Sequence, residues 1–203
     1  MGRRKPIIGL SGGIGSGKSS VAAVFAEMGA LVISSDALNH DILRQHKVLE
    51  KLAAWWGADV VQPDGLPNRT RIAEIVFGNP EQKRRLESLT YPLIAAARED
   101  MISRGNLDPA VTAIVIDSPL LFECNLDRQC DKTVFVEANE ELRLERLRAR
   151  RGWDAGELRR RESWQLPLSE KRARADYVIL NEGPLERLRP QVAAILEQIA
   201  AGR

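Results

Sequence analysis

The chain has 203 residues, enough to bury one good core with room for an insert or a lid. With 30 basic and 28 acidic residues its formal charge is +2, a balance that argues against a dedicated nucleic-acid binder. It has no run of eighteen apolar residues, which argues against a membrane span.

The basic start, Met1-Gly2-Arg3-Arg4-Lys5-Pro6, leads straight into an apolar run, so a cleaved signal peptide is not expected. Pro6 also spoils a myristoylation reading of Gly2. The run through Ile7-Ile8-Gly9-Leu10 predicts a buried strand. Next comes Gly12-Gly13-Ile14-Gly15-Ser16-Gly17-Lys18-Ser19, which matches G-x-x-x-x-G-K-[ST]. Val21, Val24, Phe25 and Met28 then recur at helical spacing, and Gly29 stands where a helix C-cap belongs. Strand, loop and helix in this order are what a phosphate loop requires. The glycines let consecutive N–H groups turn inward on a polyphosphate, Lys18 reaches the β and γ phosphates, and Ser19 can ligate Mg²⁺. The helix adds its positive end to the same anion. The motif thus calls for a nucleoside triphosphate, with Gly13, Gly15, Ser16, Gly17, Lys18, Ser19 and Ser20 around it.

Ala30-Leu31-Val32-Ile33 predicts a second strand, ending at Ser34-Ser35-Asp36. Asp36 reads either as a helix N-cap or as a carboxylate at the sheet edge, able to accept a proton or hold Mg²⁺ through water. Residues 37–103 read as mostly helical. Val48, Leu49, Leu52, Trp55 and Trp56 form one stripe closed by Gly57, Gln62-Pro63-Asp64-Gly65 forms a turn, and Pro92 is expected to kink or divide the pattern from Glu81 to Arg104. This stretch is too long for a simple crossover and is expected to be an inserted substrate domain, with Gly105 to Pro109 as a loop.

Ala113-Ile114-Val115-Ile116-Asp117 predicts a strand ending in a carboxylate, read either as the magnesium-side aspartate of phosphate-loop enzymes or as a turn residue. Thr133-Val134-Phe135-Val136 and Tyr177-Val178-Ile179-Leu180 predict two more strands. Between them residues 139–174 are helical and crowded with arginine. Most of these arginines read as a solvated face, but Arg146 and Arg150, one turn apart, can face transferring phosphates together. Trp153 and Trp164 are expected to pack. The segment Asn181-Glu182-Gly183-Pro184 reads either as a backbone loop that can hold an adenine edge or as an ordinary turn. The last helix carries Leu185, Leu188, Val192, Ile195, Leu196 and Ile199 as core. Alternating strands and helices predict an α/β fold with a five-stranded parallel sheet. Cys124 and Cys130, six apart, fit neither C-x-x-C nor an evident zinc set; they read as free thiols in a reducing cytosol, so a cytoplasmic protein is expected.

The chain resembles the dephospho-coenzyme A kinases over nearly its whole length. The resemblance rests on Gly9 to Ser19, Val32-Ile33 with Asp36, Asp64-Gly65-Leu66 with Arg69, and Asp117-Ser118-Pro119-Leu120-Leu121-Phe122-Glu123. It continues with Arg146, Arg150, Arg161, Gln165, Pro167-Leu168 and Glu170-Lys171-Arg172, and closes with Ala175-Asp176-Tyr177-Val178-Ile179 and Asn181-Glu182-Gly183. It implies ATP-dependent phosphorylation of the ribose 3′-hydroxyl of dephospho-coenzyme A, the last step of coenzyme A synthesis, with Mg²⁺ and no obligatory protein partner. It implies a phosphate-loop kinase core (1–36, 106–138 and 175–203), a helical acceptor domain (37–105) and a helical lid (139–174). Asp36 would be the general base. Asp36, His40, Arg69, Tyr91, Pro92, Leu120, Glu123, Arg161 and Gln165 would meet the acceptor, Arg146 and Arg150 the phosphates, Asn181 and Gly183 the nucleotide, and Ser19 and Asp117 the metal. Three positions depart from the family pattern. Ser34 stands for the first carboxylate of Asp-x-Asp, His40 for an arginine, and Tyr91-Pro92 for His-Pro. The readings open beside this one are another small-molecule kinase on the same core, a nucleotide-gated switch, and nucleic-acid binding through the arginines.

Overall fold

The computed structural model describes residues 4–202; the signal-peptide and myristoylation readings fall largely on Met1–Arg3, outside the described residues. The chain divides into two compact units. One takes the chain up to Ser34 and from Arg104 onward, and the other is Ser35–Ser103.

The first unit is built on five parallel strands, β1 (Ile7–Gly12), β2 (Ala30–Ser34), β3 (Ala113–Asp117), β4 (Lys132–Glu137) and β5 (Tyr177–Leu180), in the order β2-β3-β1-β4-β5. Every residue of β1 and of β3 is buried, as expected of strands covered on both faces by crossover helices. The helix α1 (Lys18–Glu27) buries Val21, Ala22, Val24 and Phe25, and Gly29, with φ of 87°, follows its end as the sequence predicts. The last helix, α9 (Leu188–Ala201), adds Leu188, Val192, Ile195 and Ile199 to the same core. Leu185 does not join them: it lies in a 3-10 turn before the helix and is exposed. Residues 139–174 form three helices, α6 (Glu140–Arg151), α7 (Ala155–Glu162) and α8 (Leu168–Arg174).

Parallel strands need their ends tied as well as their middles. Asp176, just before β5, accepts from the amide and the hydroxyl of Thr133 at 2.8 Å each, and the Lys132 ammonium lies 3.1 Å away. That staple accounts for the aspartate of the Ala175-Asp176-Tyr177 stretch.

The second unit is helical: α2 (Ser35–Leu43), α3 (His46–Trp56), α4 (Arg69–Gly78) and most of α5 (Pro80–Leu107). Gly57, with φ of 95°, ends α3. The expected turn at residues 62–65 is closed by the Gly65 amide on the Gln62 carbonyl at 2.9 Å. Pro92 does not divide the helix, which runs 28 residues through it. Leu86, Leu89, Leu93 and Ile94 flank the proline on both sides and pack against Ile42, Leu43, Val48, Leu52, Val60 and Ile72, so side-chain burial outweighs the one backbone bond that proline removes. Nor does a loop begin at Gly105. A Cβ there would lie 2.7 Å from Cδ2 of Leu31, so the glycine permits a close approach of helix to sheet rather than a break.

Candidate active site

The turn between β1 and α1 closes on itself, with the Ser16 amide 3.0 Å from the Gly13 carbonyl and the Ser20 amide 2.9 Å from that of Gly17. Gly15 and Gly17 have φ of 80° and 81°, a region that side chains rarely adopt. Space excludes side chains as well. A Cβ on Gly13 would lie 2.9 Å from Nη1 of Arg143, one on Gly15 would lie 2.9 Å from the Arg143 carbonyl oxygen, and one on Gly17 would lie 2.1 Å from Nδ2 of Asn181. The loop is bare backbone because α6 and the segment after β5 pack directly on it. A cavity of about 290 Å³ beside it is lined by Gly13, Ser16, Arg143 and Arg172 among others.

Loop carbonyls are obligatory acceptors, and here side-chain donors take two of them, those of Ile14 and Ser16. Nη1 of Arg143 donates to the Ile14 carbonyl at 3.1 Å. Nη1 of Arg146 and Nδ2 of Asn181 donate to the Ser16 carbonyl at 3.2 and 2.7 Å, and Nη2 of Arg146 donates to the Asn181 carbonyl at 2.9 Å. In a trans peptide C=O and N–H point opposite ways, so the Gly15 and Gly17 N–H groups face away from these cations, free for an anion. Both terminal nitrogens of Arg146 hold backbone carbonyls, while Arg150, one turn on, is exposed. The side chain of Asn181 is buried in support of the loop. A Cβ on Gly183 would lie 3.0 Å from Cδ of Arg187.

Lys18 opens α1 and forms an ion pair with Asp117, the last residue of β3. Register brings the two together: Asp117 lies opposite Leu10 of β1 on one side and opposite Ser34 of β2 on the other. Both charges sit at the carboxyl ends of the strands, where ligands gather in open parallel sheets. Ser19 is exposed in the first turn of α1. A hydroxyl and a carboxylate are hard oxygen donors, a set that suits Mg²⁺ held mainly by phosphates and water. No cluster of three or more metal-ligating side chains occurs among the described residues.

Lys171 of α8 is fully buried and its ammonium donates to the Pro119 carbonyl and to Oε1 of Gln165 at 2.9 Å each, with Oε1 of Glu123 at 2.7 Å. The same Glu123 oxygen accepts the Leu166 amide at 3.0 Å. Two predicted acceptor residues, Glu123 and Gln165, are thus joined through a lysine, and Leu120 lies half-buried in the turn between its partners. Arg161 stays local: it pairs with Glu157 at 2.6 Å, and its guanidinium lies 4.1 Å from the Trp153 ring centre. Trp153 packs between that guanidinium and Arg151, whereas Trp164 is exposed, against expectation.

In the helical unit, Asp36 is exposed in the first turn of α2 and His40 is half-buried in its last turn. Arg69 opens α4 behind its N-cap Asn68, and it is exposed. Tyr91 is exposed beside Pro92, with its hydroxyl 3.0 Å from Oε1 of Glu87. Asp36 follows Ser34 by two residues, and Ser34 is the register partner of Asp117.

Sequence reasoning gave no role to Arg143 or Lys171. The signal for Arg143 was its spacing, one turn before Arg146 on the same helix face. Lys171 offered only the Glu170-Lys171-Arg172 run, which does not reveal burial.

A glycine loop on the first strand of a parallel sheet, with its lysine facing a strand-end aspartate, defines a phosphate-loop kinase. The sequence matches the dephospho-CoA kinase family over residues 6–187, and the chain belongs to that family. A dephospho-CoA kinase of Syntrophotalea carbinolica is 41% identical over 198 residues, covering 97% of this chain and 93% of that protein. A crystal structure from Thermus thermophilus is 34% identical, with a TM-score of 0.83 over 97% of this chain and 98% of that one. A dephospho-CoA kinase from Campylobacter jejuni, at 23% identity, shares the fold with a TM-score of 0.66 over 97% and 98%.

Proposed function

We propose that the protein transfers the γ-phosphoryl group of ATP to the ribose 3′-hydroxyl of dephospho-coenzyme A, giving coenzyme A and ADP. The observation that carries this reading is Lys18 set against Asp117 at the mouth of a loop whose carbonyls are held from outside by Arg143, Arg146 and Asn181. With those carbonyls taken, the loop amides are left to bind a triphosphate, and Lys18 exchanges Asp117 for the β and γ oxygens. Ser19 and Asp117 would hold Mg²⁺, which neutralises charge on the phosphates when bound.

Asp36 accepts the proton of the attacking hydroxyl, and His40, Arg69, Tyr91, Pro92, Leu120, Glu123, Arg161 and Gln165 meet the acceptor nucleotide. Residues 37–105 form the acceptor domain and 139–174 a lid, on a core of 1–36, 106–138 and 175–203. Closure of the lid excludes water, which otherwise competes with the ribose, and brings exposed arginines such as Arg150 onto the transferring charge. Asn181 and Gly183 border the nucleotide. No helix among the described residues is long and apolar enough to cross a membrane, and the near-neutral charge favours a small-molecule acceptor over a nucleic acid. We place the enzyme in the cytoplasm, acting without an obligatory protein partner.

The test is ADP release with dephospho-coenzyme A beside adenosine and AMP, with the product phosphate located by NMR. Turnover restricted to dephospho-coenzyme A, with phosphate at the 3′ position, is the expected result. Preferred turnover of either other acceptor overturns the reading.

A further inference from the structure

We infer that Arg143 is a positioning residue for nucleotide binding, orienting and polarising the Ile14–Gly15 peptide, and that Glu162 of α7 holds it there. Arg143 is 4% exposed, yet its Nη1 serves both the Ile14 carbonyl, at 3.1 Å, and the Glu162 carboxylate, while its Nε is buried with no hydrogen-bond partner. A buried guanidinium with an unmet donor is a poor way to stabilise a fold; a well-packed apolar pair of similar volume does as well or better. Its geometry fits a different task. Nη1 and the main-chain carbonyl of Arg143 lie where a Cβ on Gly13 and on Gly15 would each come within 2.9 Å, so this one residue touches the loop at three successive positions. A cation on the Ile14 oxygen fixes the plane of the 14–15 peptide and strengthens its N–H as a donor on the opposite side. Arg146 does the same for the 16–17 peptide, with Asn181 as its second support. Arg143 has Glu162 instead, which makes the placement of α7 a determinant of loop geometry.

The inference rests on the loop being the nucleotide seat and is read by nucleotide binding, which does not depend on the acceptor. Dissociation constants for ADP and ATP are measured calorimetrically on the full chain for wild type, Arg143→Met, Arg143→Lys, Glu162→Gln and the double variant Arg143→Met with Glu162→Met. Thermal midpoints are recorded alongside. The double variant is expected to hold its thermal midpoint while binding nucleotide about tenfold more weakly, with the KM for dephospho-coenzyme A unchanged. Arg143→Lys should keep most of the affinity, and Glu162→Gln should lose part of it. Affinity within twofold of wild type in both Arg143→Met and Glu162→Gln overturns the inference. So does recovery of full affinity in the double variant, which would reduce Arg143 to a structural charge. If the wild type binds ATP but leaves dephospho-coenzyme A untouched, the proposed function fails while these affinities still decide the role of Arg143.

Discussion

Asn181 donates its side-chain amide to the Ser16 carbonyl at 2.7 Å, across a separation of 165 residues. The loop between β1 and α1 is therefore completed by a residue from the segment after β5. Asn181→Leu removes that donor from a buried site, and a loss of about 1–2 kcal/mol in urea unfolding is expected. Weaker ADP binding should accompany it. Unchanged ADP affinity would show that Arg146 alone suffices to hold the carbonyl.

Lys18→Ala removes the charge aimed at the transferring group, and kcat should fall about 10²-fold or more. Asp117, left without its cation, has no alternative described ion-pair partner. Near-normal turnover in a steady-state assay contradicts the site.

Asp36→Asn should lower kcat with the KM for ATP little altered, since the proposed role is toward the acceptor hydroxyl alone. Collapse of ATP binding with normal turnover of the bound complex rules out the base assignment.

Lys171→Met leaves the Glu123 carboxylate buried without its cation, and a loss of about 3–5 kcal/mol in chemical denaturation is expected. Adding Glu123→Met should restore most of that stability. Failure of the second change to restore it would mean that the lysine acts through its bonds to Pro119 and Gln165 rather than through charge pairing.

Asp176 gives a pH-dependent prediction. Burial raises its pKa, but the Thr133 hydroxyl and amide and the Lys132 ammonium more than offset this, and the carboxyl lies below the usual aspartate range. A carboxyl depressed in the folded state contributes stability above its unfolded pKa, near 4, and loses it as pH falls through the folded value. Wild type should therefore melt above Asp176→Asn at neutral pH, and the gap should close on acidification below about pH 4. A gap that persists in acid would assign the staple to neutral hydrogen bonds.

The strands and the loop were legible because both are local signals. Ile7 to Leu10 and Ala113 to Ile116 are apolar runs of strand length, and the eight residues from Gly12 to Ser19 carry their own geometry. What sequence could not reveal depended on distant packing. By local rule Pro92 reads as a kink or a division and Gly105 as the start of a loop, but the helix through them is held by apolar contacts from α2–α4 and by close approach to Leu31. Arg143 and Lys171 look like ordinary polar residues until burial shows that each spends a donor on a backbone carbonyl. The aromatic positions failed for the same reason: nothing local distinguishes Trp153, held between arginines, from the exposed Trp164.

The strand order has a kinetic side. β1 precedes the other four described strands but pairs with β3 and β4, which begin more than a hundred residues later. During synthesis the N-terminal strand and its glycines leave the ribosome with no lateral partner, and such long-range parallel pairing is slow and exposed to misassembly. A nascent chain halted before Asn181 has the whole glycine motif and still lacks the amide that holds the Ser16 carbonyl, so the loop is braced only after 165 further residues have been made.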